Sequence, residues 1–349
     1  MERKLKNILK RSICVALALI MILMLAACGG DDSATQESDT AAASEVTDMP
    51  NSEIIETGDN GENDLRVLIT SDVHHTTLNT WYGITSELRM SWWVEAIKKE
   101  HASAPIDLII IAGDTSLDHY SDKGTYTTQK VSTTKTFMDK YAAALPEEIP
   151  VYVLPGNHEQ YSNAQWKQLT GNDRQFTVEM KGNLFVCLDN YNSKLEPNRT
   201  GDPDYTPTDI SYVKEQMEKY PDCKNVWLVA HMFDPDKETE DFKSLLKNEK
   251  RIKGLFCGHT HQNSVISLGK DFGGKKIAQT GNYSYTWYTA IPETINIADV
   301  KNSFWGFREL NITSESAISN YIIAKTKGPV VGLERIDLNR RTVESVRYY

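Results

Sequence analysis

LRVLITSDVH (65–74) reads as a short strand that ends on two ligand-type side chains. Leu65, Val67, Leu68 and Ile69 form a compact apolar run, too short for a helix and closed by Ser71 and Asp72, which marks a buried strand. Asp72 and His74 stand at its carboxyl end. The same arrangement returns along the chain in DLIIIAGD (107–114), VYVLPGNHE (151–159), VWLVAH (226–231) and GLFCGHTH (254–261), with FVCLDN (185–190) a further buried run. Helical patterns fill the gaps at 86–101, 136–145, 209–220 and 238–249, and Pro146 and Pro221 lie just past two of their ends. On the first helix, Leu88, Trp92 and Ile97 are the expected core face. Beyond His261, VISLG (265–269), KKIAQTG (275–281), ETINIADV (293–300) and FWGFRELNI (304–312) read as strands of a second, more antiparallel sheet. Alternating strands and helices give an α/β fold, with helices flanking two packed mixed β-sheets.

In an α/β sheet the loops at the carboxyl ends of strands line the active crevice. Asp72, His74, Asp114, Asn157, His158, Glu159, His231, His259 and His261 are therefore expected to converge. Imidazole, carboxylate and amide oxygen together suit Zn, Mn or Fe, and the thiolates of a structural zinc site are missing from the set. Singly, each motif has a bland explanation: DxH is equally a polar strand end, and a lone histidine is more often a core or surface group. In order, at five strand ends, the bland explanation fails.

That series, DxH (72–74), GD (113–114), GNHE (156–159), His231 and GHTH (258–261), resembles the calcineurin-like metallophosphoesterase superfamily over roughly Leu65 to Gly281. The resemblance implies a four-layer α/β/β/α fold and a hydrolase of phosphate monoesters or diesters. It implies two metal ions, one on Asp72, His74, Asp114 and His261, the other on Asp114, Asn157, His231 and His259. Asp114 is then the bridge, and a hydroxide between the ions is the nucleophile. His158 is implied to contact the phosphate and protonate the leaving group, with Glu159 either orienting that imidazole or serving the fold alone. The purple acid phosphatase branch carries a tyrosine where this chain has Leu117, so tyrosinate-bound iron is not expected. Exported 5′-nucleotidases continue GNHE with Phe-Asp and add a large substrate domain. Here Gln160 and Tyr161 follow, and 88 residues remain after His261. Asp118 is the nearest candidate to support the GNH histidine, at a loose spacing.

Two aromatic clusters flank the motifs, Trp81 and Tyr82 after the first, and NYSYTWY (282–288), including Tyr283, after the last. They offer either a wall for a base or apolar leaving group or a cover for the sheet ends. Arg89 reads as a surface helix arginine rather than a phosphate contact. His75, His101 and His119 hold no motif position. Cys187 and Cys257 lie in strand-like runs as small buried side chains, and Cys223 falls in a polar loop.

Residues 1–11 carry Arg3, Lys4, Lys6, Lys10 and Arg11 against Glu2, and an apolar run follows from Ile13 to Cys28. These are signal-peptide proportions, and LAAC (25–28) resembles a bacterial lipoprotein processing site. Residues 1–27 are the expected signal peptide, Cys28 the expected lipid anchor, and 28–64 an acidic linker ahead of a catalytic domain at 65–349. The expected location is the extracytoplasmic face of a membrane. An exported binding lipoprotein and an inactive metal-holding relative are the competing readings.

The formal net charge is −10. Residues 29–64 hold eleven acids and no base, so the body from Leu65 onward, with 36 acids and 33 bases, is nearly balanced. The acidity belongs mainly to a solvated spacer. No basic excess suggests a nucleic-acid surface, and a phosphate-ester small molecule is the expected partner.

Overall fold

A computed structural model describes residues 64–76, 85–118, 132–191, 203–284, 305–323 and 342–349. The expected signal peptide, Cys28 and nearly all of the expected linker lie outside the described residues, as do Trp81, Tyr82, His119, the 285–288 aromatics and the strand expected at 293–300.

Among the described residues, twelve strands form two six-stranded sheets. β1 (Leu65–Thr70), β2 (Leu108–Ala112) and β3 (Val151–Leu154) run parallel, and β10 (Gly306–Ile312), β11 (Ala317–Ile323) and β12 (Thr342–Arg347) extend the β1 edge antiparallel, in the order β12-β11-β10-β1-β2-β3. The second sheet orders β4-β5-β6-β7-β9-β8: β4 (Phe176–Met180), β5 (Asn183–Leu188), β6 (Asn225–Ala230), β7 (Ile252–Cys257), β8 (Val265–Ser267) and β9 (Lys276–Gln279). Here β5, β6, β7 and β9 are parallel, with antiparallel strands β4 and β8 at the edges.

Period-two alternation sorts each strand's side chains between two cores. Val67, Ile69, Leu108 and Ile110 meet Phe185, Cys187, Trp227 and Val229 between the sheets. Leu68, Ile109, Ile111 and Val153 face outward onto α1 (Ser86–Ser103) and Phe137. Leu184, Val186, Leu228 and Leu255 face α4 (Ile210–Lys219) and α5 (Glu240–Asn248). The four expected layers are present.

Three local expectations are corrected. The strands after His261 do not make a sheet of their own. β8 and β9 complete the sheet of β5–β7, while β10–β12 join β1. On α1 the buried face runs through Met90, Trp93, Val94 and Ile97, and Leu88 is exposed. The helix expected at 136–145 is α2 (Thr133–Thr136) continued by a π turn (Phe137–Tyr141) and a 3₁₀ turn (Ala142–Ala144). A short helix, α3 (Asn163–Thr170), with a Ser162–Gln165 capping box, and strand β4 have no counterpart in the sequence reading. Cys187 and Cys257 are buried as expected, and Cys223 is buried too. No described helix is long and apolar enough to cross a membrane.

Candidate metal centre

The motif residues all follow the carboxyl ends of parallel strands: Asp72 and His74 after β1, Asp114 after β2, Asn157 to Glu159 after β3, His231 after β6, and His259 and His261 after β7. Past those ends the backbones keep pairing. Asp72 N donates to Gly113 O at 3.1 Å, His74 N to Asp114 O at 2.9 Å and Gly258 N to His231 O at 2.9 Å. The strands supply rigid roots, and the turns aim the side chains.

Those turns are unusual. Six described non-glycine residues have positive φ, and five of them are Asp72, His74, Asp114, His259 and His261. Each left-handed residue of this kind costs about 1–3 kcal/mol, so the surrounding structure must over-determine it. The glycines answer a different need. A Cβ at Gly156 would stand 2.1 Å from Asp114 Oδ1, and one at Gly113 would stand 2.6 Å from His231 Nδ1. The GD and GNH motifs carry glycine because the carboxylate and imidazole occupy that space.

Three groups of potential ligands share the site: Asp72, His74 and His261; His74, Asp114 and His158; and Asp114, His231 and His259. Asp114 Oδ2 lies 3.6 Å from Nε2 of His74, 3.6 Å from that of His158 and 3.1 Å from that of His231. Asn157 Oδ1 lies 2.9 Å from His231 Nε2 and 3.0 Å from His259 Nδ1. On the other side, Asp72 Oδ1 lies 3.7 Å from His74 Nε2 and 3.3 Å from His261 Nε2, which are themselves 3.1 Å apart. His158 sits edge-on to the His74 ring, with centroids 4.8 Å apart.

The donor atoms fit a cation. His231 Nδ1 is 2.8 Å from Ala112 O, a pure acceptor, so Nδ1 carries the proton and Nε2 presents its lone pair to the site. That lone pair points at two more acceptors, Asn157 Oδ1 and Asp114 Oδ2. A proton or a metal ion between them satisfies these converging acceptors. Asp72 Oδ1 is buried and accepts no hydrogen bond, facing two imidazoles. The charges agree. Burial alone would raise both carboxyls, but His261 and His74 hold Asp72, and His158, His231 and His74 hold Asp114, below the usual carboxylate range. Burial disfavours an imidazolium at His231, yet the charge of Asp114 outweighs it and raises that group to about 10.

Glu159 does not reach across to orient a ring. Its Oε2 accepts from Asp114 N and Gly156 N, both at 2.8 Å, and Oε1 accepts from Ser116 N at 2.9 Å and Thr115 Oγ1 at 3.0 Å. Burial and the Asp114 charge push its carboxyl up to about 7. Asp118 takes Ser132 Oγ, the amides of Thr133 and Thr134 and Tyr161 Oη, so it anchors the start of α2. Tyr283 is fully buried with its ring stacked on Trp305, so that ring is core, not a substrate wall. Its backbone serves the site instead, its N donating to Asp72 O at 3.2 Å.

Arg89 corrects the surface reading outright, being completely buried. Sequence pattern missed it, along with Ser71, whose hydroxyl donates to Asp72 Oδ2, and Arg174, which pairs with Asp189 and binds the carbonyls of Glu159 and Tyr161. The one available signal for Arg89 is a cation in the first turn of a helix, where the dipole disfavours it.

A family model described as calcineurin-like phosphoesterase matches residues 65–263. A search of curated proteins finds no significant match. Among solved structures, the chain is similar to GAP50, the anchor in the inner membrane complex of Plasmodium, at 12% identity and a TM-score of 0.43, covering 77% of this chain and 87% of that one. It is also similar to a predicted phosphoesterase from Streptococcus pneumoniae TIGR4, at 10% identity and a TM-score of 0.32, covering 82% and 97%. Zinc-complexed Vps29 from Entamoeba histolytica aligns at 11% identity and a TM-score of 0.37, covering 82% and 100%.

Proposed function

The chain belongs to the calcineurin-like phosphoesterase family, and from that premise we propose that it hydrolyses phosphate esters at a centre of two metal ions. One ion would be held by Asp72, His74, Asp114 and His261, the other by Asp114, Asn157, His231 and His259. The observation that carries this reading is the position of Asp114, a single carboxylate within 3.1–3.6 Å of imidazoles from both ligand groups. Ions of the Zn, Mn or Fe type, when bound, supply Lewis acidity toward phosphoryl oxygens and a water acidic enough to act as nucleophile near neutral pH.

The chain's own residues do the rest. Asp72, Asp114 and the imidazoles concentrate ligand charge on rigid strand ends. His158, at the edge of the set and 6% exposed, meets the substrate phosphate. As a water oxygen bonds to phosphorus and the phosphorus–oxygen ester bond breaks, His158 gives its proton to the leaving oxygen; the proton that the water sheds passes to solvent, and His158 regains one from solvent before the next turnover. Monoesters and diesters both fall within this reading.

The chain is exported, on this account, and tethered to the membrane through Cys28. The basic start, the apolar run and LAAC (25–28) support it. Mass spectrometry of the mature chain should find it starting at Cys28 with a lipid mass added, and a chain that still carries residues 1–27 or an unmodified Cys28 would remove the lipid anchor from the account.

Turnover of p-nitrophenyl phosphate and bis(p-nitrophenyl) phosphate tests the activity. Chelation should abolish it, and added Mn or Zn should restore it. Unchanged turnover in metal-free protein would overturn the mechanism. Full metal loading without turnover would make the chain an inactive metal-holding relative.

A further inference from the structure

We propose that Arg89 is a positioning residue that sets the backbone of His74 and so the ligand group of Asp72, His74 and His261; the inference rests on the two-ion reading above. Arg89 lies in the first turn of α1, and three of its guanidinium's hydrogen bonds go to backbone carbonyls. Nη1 donates to Val73 O and Tyr283 O, while Nη2 donates to His74 O at 3.0 Å and Ser86 Oγ at 3.2 Å. The Val73 and His74 carbonyls belong to the two peptide planes on either side of the His74 Cα. Gripping both planes fixes the φ and ψ of His74, whose φ is +41°.

The rest of the turn is already satisfied. The amides of Asp72, His74 and His75 donate to Gly113 O, Asp114 O and Thr115 O, and Asp72 O accepts from Tyr283 N. Val73 O and His74 O are the carbonyls that this ladder leaves over, and Arg89 takes both. Its bond to Tyr283 O reaches further. The neighbouring Asn282 donates its side-chain amide to His261 O at 2.8 Å, so the same short segment carries Arg89's hold to the second imidazole of this group.

Two physical costs say that the placement has a purpose. A cation in the first turn opposes the helix dipole, and complete burial strips the guanidinium of its hydration. A third points to geometry rather than charge. A fixed cation beside a cation site works against metal binding on electrostatic grounds, so what Arg89 contributes must be its planar fork. Lysine cannot replace that fork, because one nitrogen does not span three carbonyls in a fixed geometry.

The test is Mn binding to the full chain and to its Arg89→Lys and Arg89→Met variants, read by metal content per folded protein and by electron paramagnetic resonance. Wild type should bind two equivalents and show a spin-coupled pair. Both variants should bind one equivalent about 10- to 100-fold more weakly, keep the other within about twofold, and show the six-line signal of a single Mn ion at intermediate loading. If Arg89 acted through charge, Met would tighten binding and Lys would leave it unchanged; either result overturns the proposal. Two wild-type affinities in Arg89→Lys, or equal weakening of both ions, also overturns it. Should Arg89→Met fail to fold, Arg89→Lys decides alone. A wild-type chain that fails to bind two ions refutes the two-ion reading instead, which keeps the two failures apart.

Discussion

Glu159 Oε2 accepts the backbone amide of Asp114 at 2.8 Å. The side chain that follows His158 thus fixes the backbone of the carboxylate at the centre of the site. Because the Glu159 carboxylate also takes the amides of Gly156 and Ser116, it ties the turn after β2 to the turn after β3.

Glu159→Gln tests that tie. The amide fits the space but turns an NH₂ group toward an enclosure of N–H donors. Metal affinity should fall about 10- to 100-fold, as for other groups that orient ligands. Urea denaturation should show a loss of about 1–3 kcal/mol for each buried amide left without an acceptor. Wild-type affinity together with wild-type stability would show that the tie is dispensable.

His158→Ala should separate substrates by leaving group. An activated nitrophenolate departs without a proton, whereas an alkoxide needs one. Rates across a series of esters should fall most for the poorest leaving groups. Equal losses across the series would mean that His158 is not the proton donor.

Metal removal should weaken the fold itself. On the two-ion account the ions bind the folded site and not the unfolded chain, so each adds about 2.7 kcal/mol at a free concentration 100 times its dissociation constant. Thermal scans should show a lower midpoint after chelation and recovery on adding Mn or Zn. A midpoint insensitive to both would contradict a preformed site.

The buried thiols give a pH prediction. Burial pushes Cys257 up to about 12 and Cys187 higher still. A raised thiol stays protonated until the pH approaches its own pKa, so at pH 8 the reactive thiolate of Cys257 is about one part in 10⁴. Iodoacetamide at pH 8 should leave both residues unmodified in the native protein by mass spectrometry and label them on unfolding. Rapid native labelling would show that the strands open.

Much of this architecture was legible because its signals are local. A β-branched run followed by Asp, Gly-Asp or Gly-Asn-His states both the strand and the candidate ligand at its end, so the residues that cluster here are readable without knowing how the strands pair. Pairing is another matter. β10 carries the same alternation whether it joins β1 or β9; in the fold it pairs antiparallel with β1, Leu310 opposite Val67 and Ile312 opposite Leu65, and β9 is already flanked by β7 and β8. The buried face of α1 departs from the apolar period because Arg89 occupies an inward position that this period does not count. Glu159 was visible as a residue, but its partners, three backbone amides and the Thr115 hydroxyl, leave no trace in side-chain spacing. Tyr283 shows the converse, an aromatic in a suggestive place whose contribution is its backbone.

The central claim is that one carboxylate serves two ions, and the metal content of Asp114→Asn measures it most directly. After loading with Mn and removal of free metal, wild type should retain about two equivalents, one from each ligand group that shares Asp114. Asp114→Asn, with the charge gone and the fold intact by circular dichroism, should retain less than one, because both groups lose their common member. Two equivalents on Asp114→Asn would contradict the account.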